Sequence, residues 1–205
     1  MNIINSVFTD SEAYDLYCHI YKWLTAYTPG EMGYIPRYRR YQKEAWDIVF
    51  QKLNECKDKK TLKSFKKFSI YSGVIYRVHN YYGTRKRKGY IKEISNYCVS
   101  WSKSIEGIKN VSVHGKCLLI EGKTSEGIDT FGLLEYLLRH NKHFIPRDKP
   151  AEALLRYEDE AEILYPIRFE DINKVTIINK DKLAENSAVI EEIPQERWSK
   201  KRMGY

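Results

Sequence analysis

Hydrophobic positions in the first third of the chain recur with the period of a helix. Apolar residues at 13, 16, 17, 20 and 24 follow the i, i+3, i+4, i+7 spacing that puts them on one helix face. Thr9, Asp10 and Ser11 are candidate N-caps, and a Gly/Pro loop follows from Thr28 to Pro36. The pattern also predicts a second helix over 38–56 and a short basic helix over 62–68.

After residue 73 the pattern changes to short β-rich runs separated by polar turns. Strands are predicted at 74–78, 94–101, 116–121, 162–165 and 174–178, and a helix at 130–140. Gly115 and Gly122 bound the third strand, and 81–88 is a polar loop. Helices followed by strands are typical of an α+β fold. We predict a helical segment over 1–70, a body over 71–195 and a basic tail over 196–205 that lacks regular structure, all in one domain.

Composition excludes several classes of protein. The chain has 205 residues, of which 42% are hydrophobic, enough for a buried core and too many for a disordered chain. No apolar run approaches the roughly 18 residues of a membrane span, so we expect no membrane partner. The first 25 residues contain three acidic residues and no apolar run typical of a signal peptide. Four widely spaced cysteines without metal-type spacing indicate free thiols in a reducing cytoplasm.

The charge is positive and concentrated in patches. Lys and Arg number 35 against 27 Asp and Glu, a net charge of +8. The basic runs lie at 57–67, 84–88 and 199–202. They are explained either as solvated surface or as a surface for an acidic partner, such as nucleic acid or a nucleic-acid-bound protein.

Three short features place polar groups in or beside the predicted strands. Arg77 lies in an apolar run, where a guanidinium needs a partner such as a carboxylate or a phosphate. Ser100 and Ser102 share one face of a strand. Glu160 and Glu162 precede an apolar strand, and two close carboxylates raise the pKa of one of them. A structural salt bridge, ordinary strand chemistry and a solvated acidic turn are the alternative explanations.

The order of these features resembles the arginine-type mono-ADP-ribosyltransferase family. Its Arg, Ser-x-Ser and Glu-x-Glu signatures match Arg77, Ser100-Trp101-Ser102 and Glu160-Ala161-Glu162, with an apolar run and a proline after the last of them. The resemblance covers residues 72–180, and the helical segment and total length are similar to small phage-encoded members. Two positions depart from the usual pattern, at Val78 and Trp101.

The resemblance implies a split two-sheet fold with the co-substrate NAD in a cleft between the sheets, and no metal. It implies that Arg77 binds the NAD pyrophosphate, together with Ser100 and Ser102 as further NAD-binding residues. Ser100 would also position Glu162, which stabilises the positive charge of the ribose as nicotinamide leaves. Glu160 would orient the acceptor and take its proton. A glutamate at that position goes with arginine acceptors in this family.

The acceptor is therefore expected to be a protein. A basic surface favours an acidic or nucleic-acid-bound target, such as the transcription or translation machinery. The expected location is the cytoplasm, or the host cytoplasm if the chain is phage-encoded.

Two other functions remain open from the sequence. Glu121 ends the strand predicted at 116–121 and Lys123 follows it, as in the Glu-x-Lys end of a Mg-dependent nuclease core, with Glu106 as a further acid. The basic and aromatic composition also fits a non-catalytic nucleic-acid-binding protein.

Overall fold

Helices come first along the chain and strands dominate after them, as the sequence predicts. The computed structural model describes residues 6–25, 35–81, 98–111, 113–141, 149–155, 157–166, 168–183 and 188–195. Within these ranges the helices are α1 Asp10–Thr25, α2 Ile35–Glu55, α3 Lys59–Ser69, α4 Ile105–Asn110, α5 Thr130–His140 and α6 Glu152–Leu155. The strands are β1 Ile70–Asn80, β2 Val99–Ser102, β3 Lys116–Asp129, β4 Glu162–Tyr165, β5 Ile172–Asn179 and β6 Val189–Glu192. The α+β class is confirmed.

Capping side chains define where the N-terminal helices begin. The Thr9 hydroxyl accepts from the Glu12 amide, and the Glu12 carboxylate accepts from the Thr9 amide, which forms a capping box before α1. Asp58 accepts from the amides of residues 60 and 61 at the start of α3. Helix α2 starts at Ile35, earlier than predicted, because Pro36 fits the first turn of a helix and does not have to lie in the preceding loop.

All six strands are antiparallel and connected by pairing in one sheet, in the order β1-β2-β4-β3-β5-β6, with β1 also paired to β3. The pair β2–β4 is joined to the other strands by few residues. Tyr76 opposite Ser102 is the pair recorded between β1 and β2. Ile128 and Asp129 pair β3 with β4. Strand pairing therefore does not divide the sheet completely, but it leaves β2–β4 as a distinct part.

Strand β3 is longer than the pattern predicts. The prediction that it ends at Gly122 is wrong, because β1 runs beside it from Ile70 opposite Ile128 to Asn80 opposite Cys117. Gly122 lies opposite Ile75 in the middle of this ladder. Hydrogen bonds to a neighbouring strand can keep a strand extended past a glycine that would otherwise weaken it.

The helices and the strands share buried residues. One cluster combines Leu16 and Ile20 of α1 with Phe65 of α3, Tyr136 of α5 and Leu164 of β4. A second cluster lies among the strands and contains Ile75, Trp101, Ile120, Ile163 and Val175. Strand β4 contributes to both clusters, so its two faces are covered and its four residues are all buried.

The cysteines are mostly buried, and the last strand is exposed. All four cysteines are free, and Cys18, Cys98 and Cys117 are buried. Strand β6 was not predicted, because its side chains are all exposed and show no alternation. Among the helices of the described ranges, none is both long and apolar enough to cross a bilayer. The basic runs at 84–88 and 199–202 lie outside the described residues.

Candidate active site

Glu162 is a buried carboxyl group at the first position of β4. Its side chain is 6% exposed. The oxygen Oε1 accepts a hydrogen bond from the Trp23 indole Nε1 at 2.7 Å and another from the Ser100 hydroxyl at 2.8 Å. Within the described residues no protein group donates to the other oxygen, Oε2. The two oxygens of this carboxyl group therefore differ, since the protein holds Oε1 through two donors.

The pKa of Glu162 is raised from 4.5 to about 7, mainly by burial. The neighbouring carboxyl group of Glu160 contributes to this increase, whereas the hydrogen bonds from Ser100 and Trp23 and the positive charge of Arg77 oppose it. Ionised and protonated forms are therefore both present near neutral pH, which is the range in which a catalytic carboxyl group is useful.

Arg77 lies beside the single pair that joins β1 to β2. Its Nη1 donates to the Ser100 carbonyl oxygen, and its Nε donates to His79 Nε2 at 3.0 Å. Both acceptors are uncharged. Burial lowers the pKa of Arg77 to about 10, and the negative charge of Glu162 opposes this shift, so the guanidinium remains cationic at neutral pH. A partly buried cation with neutral acceptors is suited to bind an anion.

Ser100 connects these groups. Its hydroxyl donates to Glu162 and accepts from the Gln42 side-chain amide at 2.6 Å, while its carbonyl oxygen accepts from Arg77. Strand pairing places Ser100 opposite Leu164, one step along the same face from Glu162. The residue thus contacts both the acidic and the basic group of the site.

Ser102 lies directly opposite Glu162 in the β2–β4 ladder, but its hydroxyl is used elsewhere. It donates to the Ser104 carbonyl oxygen at 2.9 Å and accepts from the Ser104 amide at 3.3 Å. These bonds close the turn that leads into α4. Ser102 is predicted to bind NAD, and this geometry gives it a local structural role beside the site.

Glu160 ends a 3-10 turn, Glu158–Glu160, and is separated from Glu162 by Ala161 in the left-handed conformation, with φ 50°. The two glutamates therefore do not alternate along one strand, as they would if β4 began earlier. Burial raises the pKa of Glu160. Its carbonyl oxygen lies against Gly107 of α4, where a Cβ would overlap it and the Ser102 hydroxyl.

Of the predicted site residues, the structure brings Arg77, Ser100 and Glu162 together and places Glu160 next to them. Sequence reasoning missed the donors Trp23 and Gln42. Trp23 lies on the apolar face of α1, where a tryptophan is expected for packing alone, and nothing in the local sequence shows where its indole N–H points.

The acidic residues of the nuclease hypothesis lie on different elements. Glu121 is in β3, between Tyr76 of β1 and Lys174 of β5. Glu106 is exposed in α4, where its Oε1 lies 3.4 Å from Lys109 Nζ. No group of three or more His, Cys, Asp and Glu residues that could hold a metal ion is found in the part of the chain that the structure describes.

Comparisons with known protein families, characterised proteins and solved structures found no match for this chain.

Proposed function

We propose that the chain is a mono-ADP-ribosyltransferase that transfers ADP-ribose from NAD to a protein side chain and releases nicotinamide. The proposed acceptor is arginine, because a glutamate at the position of Glu160 goes with arginine acceptors in the family that the sequence resembles. The observation that carries this proposal is the convergence of Arg77, Ser100 and Glu162, which are far apart in the sequence. Ser100 contacts both of the others, and in the described residues Glu162 Oε2 accepts no hydrogen bond from the protein. An anion-binding cation beside a fixed carboxylate suits a substrate that has a pyrophosphate and develops positive charge.

The chemistry assigned to Glu162 is electrostatic. The bond between ribose C1′ and the nicotinamide nitrogen breaks, and its electron pair leaves with nicotinamide. The ribose becomes positively charged, and ionised Glu162 stabilises that charge while Oε2 accepts a hydrogen bond from a ribose hydroxyl. Because Oε1 is already held by two donors, the carboxylate needs little reorganisation when the charge develops.

Glu160 acts on the acceptor in this proposal. A guanidinium nitrogen of the acceptor arginine attacks C1′, forms the new C–N bond and gives up one proton, which Glu160 takes. The raised pKa of Glu160 makes its carboxylate a better proton acceptor than an exposed glutamate. The products are ADP-ribosylated arginine, nicotinamide and a proton.

Arg77 holds the NAD pyrophosphate in this proposal. The two groups that accept its hydrogen bonds are neutral, so a bound pyrophosphate would give the guanidinium a negatively charged hydrogen-bond partner. No metal is required, because Arg77 supplies the cation for the pyrophosphate.

The proposal includes an ADP-ribosyltransferase-like fold with NAD between two parts of the sheet. It is supported by the weak attachment of β2–β4, which pairs with β1 at Tyr76 opposite Ser102 and with β3 at two residues. Arg77 and Glu162 stand on opposite sides of that junction. We infer that the NAD cleft opens there.

The partner is an acceptor protein, and we favour an acidic or nucleic-acid-bound one. In the described residues this is supported by the lysines of 57–67, which are exposed on and next to α3. The cytoplasm is the compartment that supplies both NAD and such targets.

The test is transfer of label from NAD. The purified protein is incubated with adenine-labelled NAD and a cell lysate, and labelled arginines are identified by mass spectrometry. We expect labelled protein with the wild type and none with Glu162→Gln. Equal labelling by both proteins, or none by the wild type, overturns the proposal.

A further inference from the structure

The two N-terminal helices each direct one uncharged donor into the site. Trp23 on α1 donates to Glu162 Oε1 at 2.7 Å, and Gln42 on α2 donates to the Ser100 hydroxyl at 2.6 Å. Both side chains are buried, at 3% and 7% exposed. Buried N–H groups need acceptors, but any backbone carbonyl would satisfy them. Here both lead to the same carboxylate oxygen.

The direction of these hydrogen bonds is fixed by chemistry. An indole N–H only donates, so Glu162 Oε1 must accept from Trp23. The Ser100 hydroxyl has one proton, which it donates to Oε1 at 2.8 Å, so it must accept from the Gln42 amide nitrogen. Trp23 therefore donates to Oε1 directly, and Gln42 supports the same oxygen through the Ser100 hydroxyl.

We propose that Trp23 and Gln42 are positioning residues of this site. They hold Glu162 by Oε1 and so leave Oε2 directed at the substrate hydroxyl next to the reacting carbon. This inference rests on the proposed function. It gives the segment 1–70 a part in the reaction itself, since two of its helices complete the support of a residue on β4.

The charged groups that act on Glu162 come from other elements. Among the described residues they are Arg77 on β1 and Glu160 in the preceding turn. The groups that contact it from α1 and β2 are the uncharged Trp23 and Ser100, and the uncharged Gln42 of α2 contacts Ser100. Removing one of these donors therefore changes how strongly the ionised carboxylate is held without changing the charge of the site.

The experiment compares Trp23→Phe and Gln42→Met with the control Trp46→Phe. Trp46 is a tryptophan of α2 that stacks on Phe50 at 4.2 Å between ring centroids. Titration of Glu162 is followed by carbon NMR of glutamate-labelled protein, with its resonance identified by its loss in Glu162→Gln. Nicotinamide release is measured across the same pH range.

We expect Trp23→Phe to raise the titration midpoint of Glu162 by about one to two pH units, the scale of a hydrogen bond to a charged group. Gln42→Met should raise it by about half a unit, because its effect passes through Ser100. The pH at which release reaches half its plateau should shift equally, with little change in KM. Trp46→Phe should titrate as the wild type.

An unshifted midpoint in folded Trp23→Phe and Gln42→Met overturns the positioning role. If Trp23→Phe does not fold, Gln42→Met decides alone. Absence of nicotinamide release by the wild type overturns the proposed function instead, and the NMR titration still shows whether the two donors hold Glu162. The two failures are therefore distinguishable.

Discussion

Burial of the Glu162 carboxyl group carries a cost in stability that depends on pH. Its pKa is raised from 4.5 to about 7, so between these values the folded protein keeps a proton that the unfolded chain loses. Stability therefore falls as pH rises through this window, and the penalty is complete above it, on the order of 3 kcal/mol.

Glu162→Gln should remove this penalty, because the neutral amide still accepts from Trp23 and Ser100 through its oxygen. We predict that the variant is more stable than the wild type at pH 8.5 and that the difference nearly disappears at pH 4.5, measured by urea unfolding. Exposed Glu106→Gln is the control and should show no such trend. A stability difference that does not change with pH would contradict this explanation.

Arg77 is the residue on which NAD binding depends in this account. Arg77→Ala should weaken NAD binding about tenfold or more while the protein stays folded, since charge-assisted bonds to the pyrophosphate are lost. Arg77→Lys should also bind poorly, because an ammonium group lacks the planar bidentate fork. Calorimetric titration with NAD measures both, and normal affinity in folded Arg77→Ala would remove the assignment.

The two serines of β2 provide a matched pair. Ser100→Ala deletes a hydrogen bond to Glu162 and should lower nicotinamide release about tenfold or more. Ser102→Ala deletes bonds to Ser104 only, so thermal stability should fall while release per folded molecule changes little. Initial rates and melting curves separate the two effects. Equal effects of both substitutions on release would show that the Ser100–Glu162 contact does not matter to the reaction.

Among the elements, α4 packs against the acidic turn Glu158–Glu160 at Gly107. A Cβ there would overlap the Glu160 carbonyl oxygen and the Ser102 hydroxyl, so Gly107→Ala must displace the turn that carries Glu160. We expect a loss of about 1–3 kcal/mol in stability and reduced transfer to arginine.

Gly132→Ala is its control. A Cβ at Gly132 would overlap the Phe68 carbonyl oxygen, between α5 and α3 and away from the site. Stability should fall there too, but transfer per folded molecule should not. If both variants transfer equally well, the position of the acidic turn is not set by Gly107.

The elements themselves were largely predictable from local pattern. Helix α5 and strand β4 were predicted at their observed bounds, and β5 within two residues at each end, because their apolar periodicity and flanking residues are distinct. Strand β3 was underestimated at Gly122, since only its long ladder with β1 continues it to Asp129. Exposed β6 was missed because an edge strand without a buried face leaves no periodicity to detect.

At the scale of the whole molecule, the sequence could indicate Arg77, Ser100 and Glu162 but not what supports them. Their grouping depends on β2 pairing with β4 and on β1 contacting β2 at Tyr76. The contributions of Trp23 and Gln42 depend on how α1 and α2 pack on that part of the sheet. Such long-range contacts are set by the complete core and leave no short motif.

Nicotinamide release in Glu160→Gln and Glu162→Gln, with and without an arginine-containing acceptor, shows whether Glu162 acts on NAD and Glu160 on the acceptor. Glu162→Gln should lose both transfer and slow NAD hydrolysis by about 10²-fold or more, because the charge that opposes the cationic ribose is gone. Glu160→Gln should lose transfer but keep much of the hydrolysis, in which water replaces the acceptor. Equal loss of both activities in Glu160→Gln would contradict the division of tasks, and full transfer by Glu162→Gln would contradict the account as a whole.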